Sequence, residues 1–346
     1  MTNYCTLFDS GYLDKGCIMI ESLLRVSKDA HIYVLAFDDK CYEVLSDINY
    51  ENTTVISLQE FESERILKFK ANRSHRSYCW SCTPFLIKHV LEHYDAENCT
   101  YIDADMLFYS NPNVLVDDVR NDGCDVGIVE HRFGEGTIQE EQVRIAGKYC
   151  VEFNTFIKND NSLKVLNWWA DKYEECCTDD TSQSQNGMFG DQMYLNDWLD
   201  RFQNIYVMKN HGGGMAPWNV YRYRLEKYEA DTNSINFSDT QSQWTGDLVF
   251  YHFHDIDLFS DNKANINVYG RYGKSEAPDS KLISIIYNDY LARLKAWRQE
   301  LGGKYNITWR KLDDSKSHIS SLYPNAFSKL RHLGSYKNKI KNMISY

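Results

Sequence analysis

No apolar run in these 346 residues approaches the roughly 18 needed to cross a bilayer. Met1-Thr2-Asn3-Tyr4 brings neither a basic cluster nor a long apolar stretch, so no secretory leader is expected. There is no internal repeat and no low-complexity segment. The glycine spacings that cradle nucleotide phosphates are missing too. His211-Gly212-Gly213-Gly214 fits neither the dinucleotide fingerprint nor the phosphate loop, which argues against a dinucleotide oxidoreductase. Positive charge is scarce: a net charge of −11 disfavours a general nucleic-acid binder. It is also unevenly spread. Ser315 to Tyr346 holds six basic residues (Lys316, Lys329, Arg331, Lys337, Lys339, Lys341) and no acid, so all 49 acidic residues precede Ser315.

The remaining composition, 43% hydrophobic and 25% charged, is that of an ordinary soluble globular protein. The length allows one large domain or two smaller ones. Without a leader, the ten cysteines read as buried, reduced thiols and the location as cytoplasmic. Cys79-Trp80-Ser81-Cys82 has metal-like or redox-like spacing, but it occurs once. Aromatic residues, at 14%, suit a sugar-binding face and a large core alike.

Strand and helix patterns alternate along the first half. Strands are expected at Asn3–Phe8, His31–Phe37, Thr53–Leu58, Cys99–Ile102, Asp125–Glu130 and Val151–Phe156. Helices are expected at Leu13–Val26, Lys40–Asp47, Gln59–Phe69, Tyr78–Tyr94 and Ser162–Cys177. This order implies an α/β fold with a parallel sheet covered on both faces. Ligands in such sheets bind beyond the carboxyl ends of the strands, where Asp9, Asp38, Asp103 and Asp105 fall. Arg73 and Arg76 sit in a polar loop, as solvated surface or as partners for a phosphate. The polar stretch from His131 to Lys148 reads as a substrate loop. Asp191 suits the first turn of a helix over Phe189–Trp198, and Ser280–Leu301 reads as a further helix.

The stretch that organises the chain is Tyr101-Ile102-Asp103-Ala104-Asp105-Met106-Leu107-Phe108. In extended backbone, residues two apart share a face, so Asp103 and Asp105 can converge on one cation or phosphate-bearing ligand. Hard oxygen donors of this kind suit Mg²⁺ or Mn²⁺. The same alternation puts His252 and His254 on one face of the strand Val249–Asp255, where they could contact a metal or a phosphate.

Taken in order, these motifs resemble the nucleotide-sugar glycosyltransferases of the GT-A fold, nearest to family 8. Tyr4-Cys5-Thr6-Leu7-Phe8 through Gly16 is similar to that family's nucleotide-binding start. Tyr101-Ile102-Asp103-Ala104-Asp105 resembles its YLDxD motif, and Phe153-Asn154-Thr155 its FN(S/A)G strand. Asp191-Gln192-x-x-Leu195-Asn196 resembles its DQxxLN helix, and Tyr251-His252-Phe253 its VHF strand. The likeness spans roughly residues 3 to 275. It implies a Rossmann-like mixed sheet flanked by helices, with a catalytic domain over 1–275 and a C-terminal helix and basic tail over 276–346. It further implies Asp103, Asp105 and His252 as ligands of Mn²⁺ or Mg²⁺. Thr6, Phe8, Asp9, Tyr12, Arg76, Asp103, Ala104 and Asn154 would bind the donor, a UDP-sugar, and Asp191 and Gln192 would lie at the reacting carbon. Transfer to a glycan hydroxyl would proceed with retention; with inversion, Asp191 becomes the base. The chain departs from the pattern twice. Phe156 replaces the glycine of FN(S/A)G, and the Lys-Pro-Trp expected after the metal histidine is absent, leaving Lys263 or Lys274 as substitutes.

In the tail, Phe327, Leu330, Leu333, Tyr336, Ile340, Met343 and Ile344 recur at helical spacing among basic residues. A segment of this kind over 315–346 suits an anionic membrane face or packing on the domain. The former would make the acceptor a lipid-linked glycan at the inner face. Two rival classes exist. A sugar-phosphate nucleotidylyltransferase needs a glycine-rich basic loop after the first strand, where this chain has Asp9-Ser10-Gly11-Tyr12. A non-catalytic carbohydrate-binding protein needs the aromatics but not the acidic pair.

Overall fold

A computed structural model describes residues 1–134, 137–178, 192–258, 263–268, 277–309 and 343–345. The chain opens with β1 (Thr2–Phe8), α1 (Leu13–Val26), β2 (Ala30–Ala36), α2 (Asp39–Ile48) and β3 (Thr53–Ser57). Then come α3 (Leu58–Phe61), α4 (Glu64–Lys70), α5 (His75–His93), β4 (Asn98–Ile102), β5 (Met106–Phe108) and α6 (Asn113–Asn121). The middle holds β6 (Val126–Glu130), α7 (Thr137–Ala146), β7 (Tyr149–Ile157), α8 (Asp160–Glu175), α9 (Trp198–Arg201) and β8 (Ile205–Val207). Last are β9 (Tyr223–Glu229), β10 (Ser234–Asp239), β11 (Thr245–Asp247), β12 (Phe250–His252), β13 (Asp257–Leu258), β14 (Lys263–Asn265), α10 (Ser280–Tyr305) and β15 (Met343–Ser345).

Seven strands form the central sheet in the order β3-β2-β1-β4-β7-β6-β8. The first four run parallel, and β7 is antiparallel to both β4 and β6. The mixed α/β sheet flanked by helices is therefore present, and the wholly parallel sheet implied by alternation is corrected by one reversed strand. That reversal places the start of β7 beside the carboxyl end of β4, with Phe153 opposite Ile102. One face packs against α5 and α8 through Phe85, Leu86, Val165 and Trp169, and the other against α1, α2 and α6 through Leu13, Ile20, Val44 and Val116. A third core joins α10 to β9, β10 and β12. The antiparallel sheet β11-β10-β9 arises where strand–helix alternation gave no warning.

Several boundaries differ from the sequence reading because capping groups intervene. Gln59–Phe69 is two helices: the Ser57 hydroxyl accepts from Glu60 N and that of Ser63 from Ile66 N. Ser74 caps α5, which starts at His75 and so draws Arg76 out of the expected loop into a helical turn. Helix α7 fills much of the stretch read as a loop. Gln192–Asp197 forms a 3₁₀ turn rather than an α-helix. Helix α10 continues through Gly302 and Gly303 to Tyr305 and ends at Asn306 with φ 56°. Most of the basic tail lies outside the described residues. Met343 and Ile344, read at helical spacing, instead pair as β15 with β14, a free edge that overrides local periodicity. Among the described residues, no helix is long and apolar enough to cross a membrane.

Helix α1 lies close on β1 because Gly16 has no side chain. A Cβ there would meet the Phe8 ring at 2.3 Å. Arg298 Nε donates to Asp14 Oδ2 at 2.6 Å, so α10 braces the start of α1. Gly16→Ala should overpack this contact and lower unfolding stability by about 1–3 kcal/mol. Urea denaturation checks it, and an unchanged midpoint would contradict the packing described.

Candidate metal centre

Residues Asp103 to Asp105 leave the end of β4 in a short turn before β5. Strand β12 pairs antiparallel with β5, setting His252 opposite Met106. Backbone bonds then lock the pieces: Asp103 N donates to Glu152 O at 3.2 Å and Phe253 N to Asp105 O at 2.8 Å. On its other side β12 is held by the glycine-rich loop, where His252 N donates to Met215 O at 2.9 Å. That loop approaches closely because a Cβ on Gly212 would lie 2.4 Å from Asp247 O, and Gly214 sits at φ +81°. Asn219 ties the loop together, its amide donating to His131 O and Gly214 O. Trp218 thereby packs edge-on against His252, with ring centroids 5.3 Å apart.

The side chains of Asp103, Asp105 and His252 converge. Their ligand atoms lie within 4.8 Å of one another. His252 Nε2 is 3.1 Å from Asp105 Oδ1 and 3.6 Å from Asp103 Oδ2, at side-chain exposures of 5%, 12% and 31% respectively. Adjacent ligands of an octahedral ion with bonds of 2.0–2.1 Å stand about 3 Å apart, so this donor set fits Mg²⁺ or Mn²⁺. Tyr101 OH donates to Asp103 Oδ1 at 3.0 Å.

The electrostatics separate the two acids. Burial pushes the Asp103 carboxyl up to about 6, with Asp105 and Glu152 adding to the shift and His252 opposing it. Asp105 is also buried, but the charge and hydrogen bond of His252, then Lys15, hold it well below the usual carboxylate range. Burial alone would lower His252; Asp105 and hydrogen bonds to its neighbours outweigh that and raise it well above the ordinary imidazole value.

Three residues here were not picked out from the sequence. Glu152 Oε2 lies 2.6 Å from His252 Nδ1, and Cys150 shares that pocket with both. An acid within the otherwise apolar run of β7 was the available signal. Lys15, on α1, brings its ammonium 4.0 Å from Asp105 Oδ2 and 4.0 Å from the centre of the Tyr12 ring. Tyr12 was expected at the donor, but a lysine three residues on at a helix start is too common to have marked Lys15.

The remaining expected residues are more dispersed. Asp9 caps the turn after β1, accepts from Gly11 N and meets His75 Nε2 at 2.9 Å. Exposed Arg76 follows His75 on α5, and no ion pair joins it to Asp103 or Asp105 among the described residues. Arg73 is taken up structurally by Ser81 Oγ and the carbonyls of Tyr173 and Glu174. The Phe8 ring is buried against α1, while Thr6 and Asn154 are fully buried with polar atoms that find no hydrogen-bond partner among the described residues. Ala104 is buried within the acidic turn, and Gln192 is half-buried at the start of the 3₁₀ turn. His254 stands 5.9 Å from His252, ring to ring. Lys263 lies exposed on β14, whereas Lys274 and Asp191 lie outside the described residues. No disulfide joins any of the ten cysteines.

No family model matches the sequence. Uncharacterized protein YfnD of Bacillus subtilis (strain 168) is 28% identical over 307 residues, which is 86% of this chain and 90% of its own. Among solved structures, the galactosyltransferase LgtC with donor and acceptor sugar analogs aligns over 73% of this chain and 87% of that one, at 15% identity and a TM-score of 0.46. Mouse xyloside xylosyltransferase 1 aligns over 73% and 97%, at 13% identity and a TM-score of 0.43. A likeness this loose fixes neither fold family nor activity.

A divalent ion at this centre must displace protons held by Asp103 and His252. Its affinity should therefore fall as pH falls through about 6. Calorimetry with Mn²⁺ in buffers of different ionisation enthalpy should register protons released on binding. Affinity unchanged between about pH 5 and 7 would contradict the proton competition.

Proposed function

We propose that the chain is a metal-dependent glycosyltransferase of the GT-A type that moves a sugar from a UDP-sugar to a glycan hydroxyl. What carries this reading is the meeting of Asp103, Asp105 and His252, from separate segments, at the carboxyl end of the sheet. The ordered motifs from Tyr4 to His252 support the same class. Asp103, Asp105 and His252 would hold Mn²⁺ or Mg²⁺. Once bound, the ion would offset negative charge growing on the departing diphosphate.

The chain's own groups divide the rest of the work. Asp9 and Tyr12, in the turn that follows β1, would contact the base or ribose. Lys15, its side chain 13% exposed and beside Asp105, takes the part first sought in Lys263 or Lys274. Its ammonium faces the same cluster, so a diphosphate seated there gains a second cation. Asn154, Gln192 and Asp191 are proposed for the sugar and its reacting carbon. Residues 1–275 form the donor-binding unit in this reading, braced by α10, and transfer proceeds with retention. The basic tail, if it meets an anionic membrane, directs the enzyme to a lipid-linked glycan on the inner face.

Calorimetry with UDP should detect binding that requires Mn²⁺, and Asp105→Ala should abolish it. Equal binding with and without the ion would remove the metal-centred reading. Lys15→Met should weaken UDP about tenfold or more, the loss of one charged hydrogen bond. Uridine, which has no phosphate, should bind that variant as it binds the parent; equal losses for both ligands would contradict the role given to Lys15.

A further inference from the structure

We propose that Glu152 is the positioning residue of the metal centre. It fixes His252 in the Nδ1–H tautomer and so turns the Nε2 lone pair toward Asp103 and Asp105. The inference rests on the metal reading above and adds a residue that no motif supplied.

The geometry is specific. Glu152 Oε2 lies 2.6 Å from His252 Nδ1, with the two side chains 1% and 5% exposed. An ionised carboxylate can only accept, so the proton of this bond belongs to Nδ1. A neutral imidazole so held has one lone pair left, on Nε2, the atom nearest Asp105 Oδ1 and Asp103 Oδ2. Imidazoles that bind metals are regularly oriented in this way by an acid behind them.

Three features keep Glu152 and His252 in place. The reversed β7 delivers it to the end of β4, where its carbonyl accepts from Asp103 N. Trp218 packs edge-on against the His252 ring. Beyond Glu152, the position a Cβ would take on Gly214 lies 3.2 Å from Glu152 Oε1 and 2.4 Å from Arg132 Nη2. The buried Arg132 guanidinium thus stands across one glycine from the acid.

A competing use of the same atoms exists. Cys150, Glu152 and His252 also have ligand atoms within 4.8 Å of one another. A thiophilic ion could be held there, which would make Glu152 a ligand and not an orienting group. Cys150 distinguishes the two, because only the second needs its sulfur.

The test uses the full chain and Mn²⁺ without nucleotide. Glu152→Gln keeps the size and an acceptor but removes the charge, and should weaken Mn²⁺ about 10–100-fold by electron paramagnetic resonance titration. The metal-free variant should keep the parent's circular dichroism spectrum, so that the lost affinity is not a loss of folding. Cys150→Ser should bind Mn²⁺ like the parent. Nitrogen-15 NMR of the Mg²⁺-loaded parent should place the His252 proton on Nδ1, a readout that stands even if the Glu152 variant fails to fold. Equal affinity in Glu152→Gln, a proton on Nε2, or a large loss in Cys150→Ser would each overturn the proposal. A parent that binds no Mn²⁺ would instead bring down the metal reading itself.

Discussion

Acidic groups cannot share a mostly buried corner without positive charge among them. Asp103, Asp105 and Glu152 surround one imidazole, and Lys15 brings a further cation to 4.0 Å from Asp105. Burial of an unpaired carboxylate costs several kcal/mol, so the arrangement persists only because His252 bonds on both sides. The split in proton affinity between Asp103 and Asp105 expresses the same constraint: one acid is fully compensated and the other is not. A corner with unspent negative charge and a partly open acid could hold a cation.

The sheet exists, in this view, to bring distant segments to that corner. Parallel strands leave their carboxyl ends together, which gathers Asp9, Asp38 and the acidic turn. The reversal of β7 adds Glu152 from the opposite direction. Strand β12 then carries His252 in beside β5, clamped by the glycine-rich loop from behind. Packing tolerances around Gly16 and Gly212 are tight because the backbones that carry these groups must approach closely.

Much of this was legible in the residues. The convergence of Asp103 and Asp105 was expected, though a turn beyond β4 brings it about and not the extended alternation assumed, and apolar runs located most strands and helices to within a few residues. Resemblance and strand alternation together picked out His252, which the structure brings beside Asp103 and Asp105. What escaped had a physical reason. The direction of β7 is a tertiary choice that no local pattern records. Glu152 hides in an apolar strand because its partner comes from a hundred residues away. Lys15 looks like any helical lysine until Asp105 is set beside it. The division of Gln59–Phe69 and the early start of α5 were written in Ser63 and Ser74, whose capping role outweighs hydrophobic period at helix ends.

The most direct measurement is anomalous diffraction at the manganese edge from crystals soaked in Mn²⁺. The account predicts one peak among Asp103 and Asp105 oxygens and His252 Nε2. No peak there, or one bound elsewhere while that corner keeps its direct Asp105–His252 contact, would contradict it.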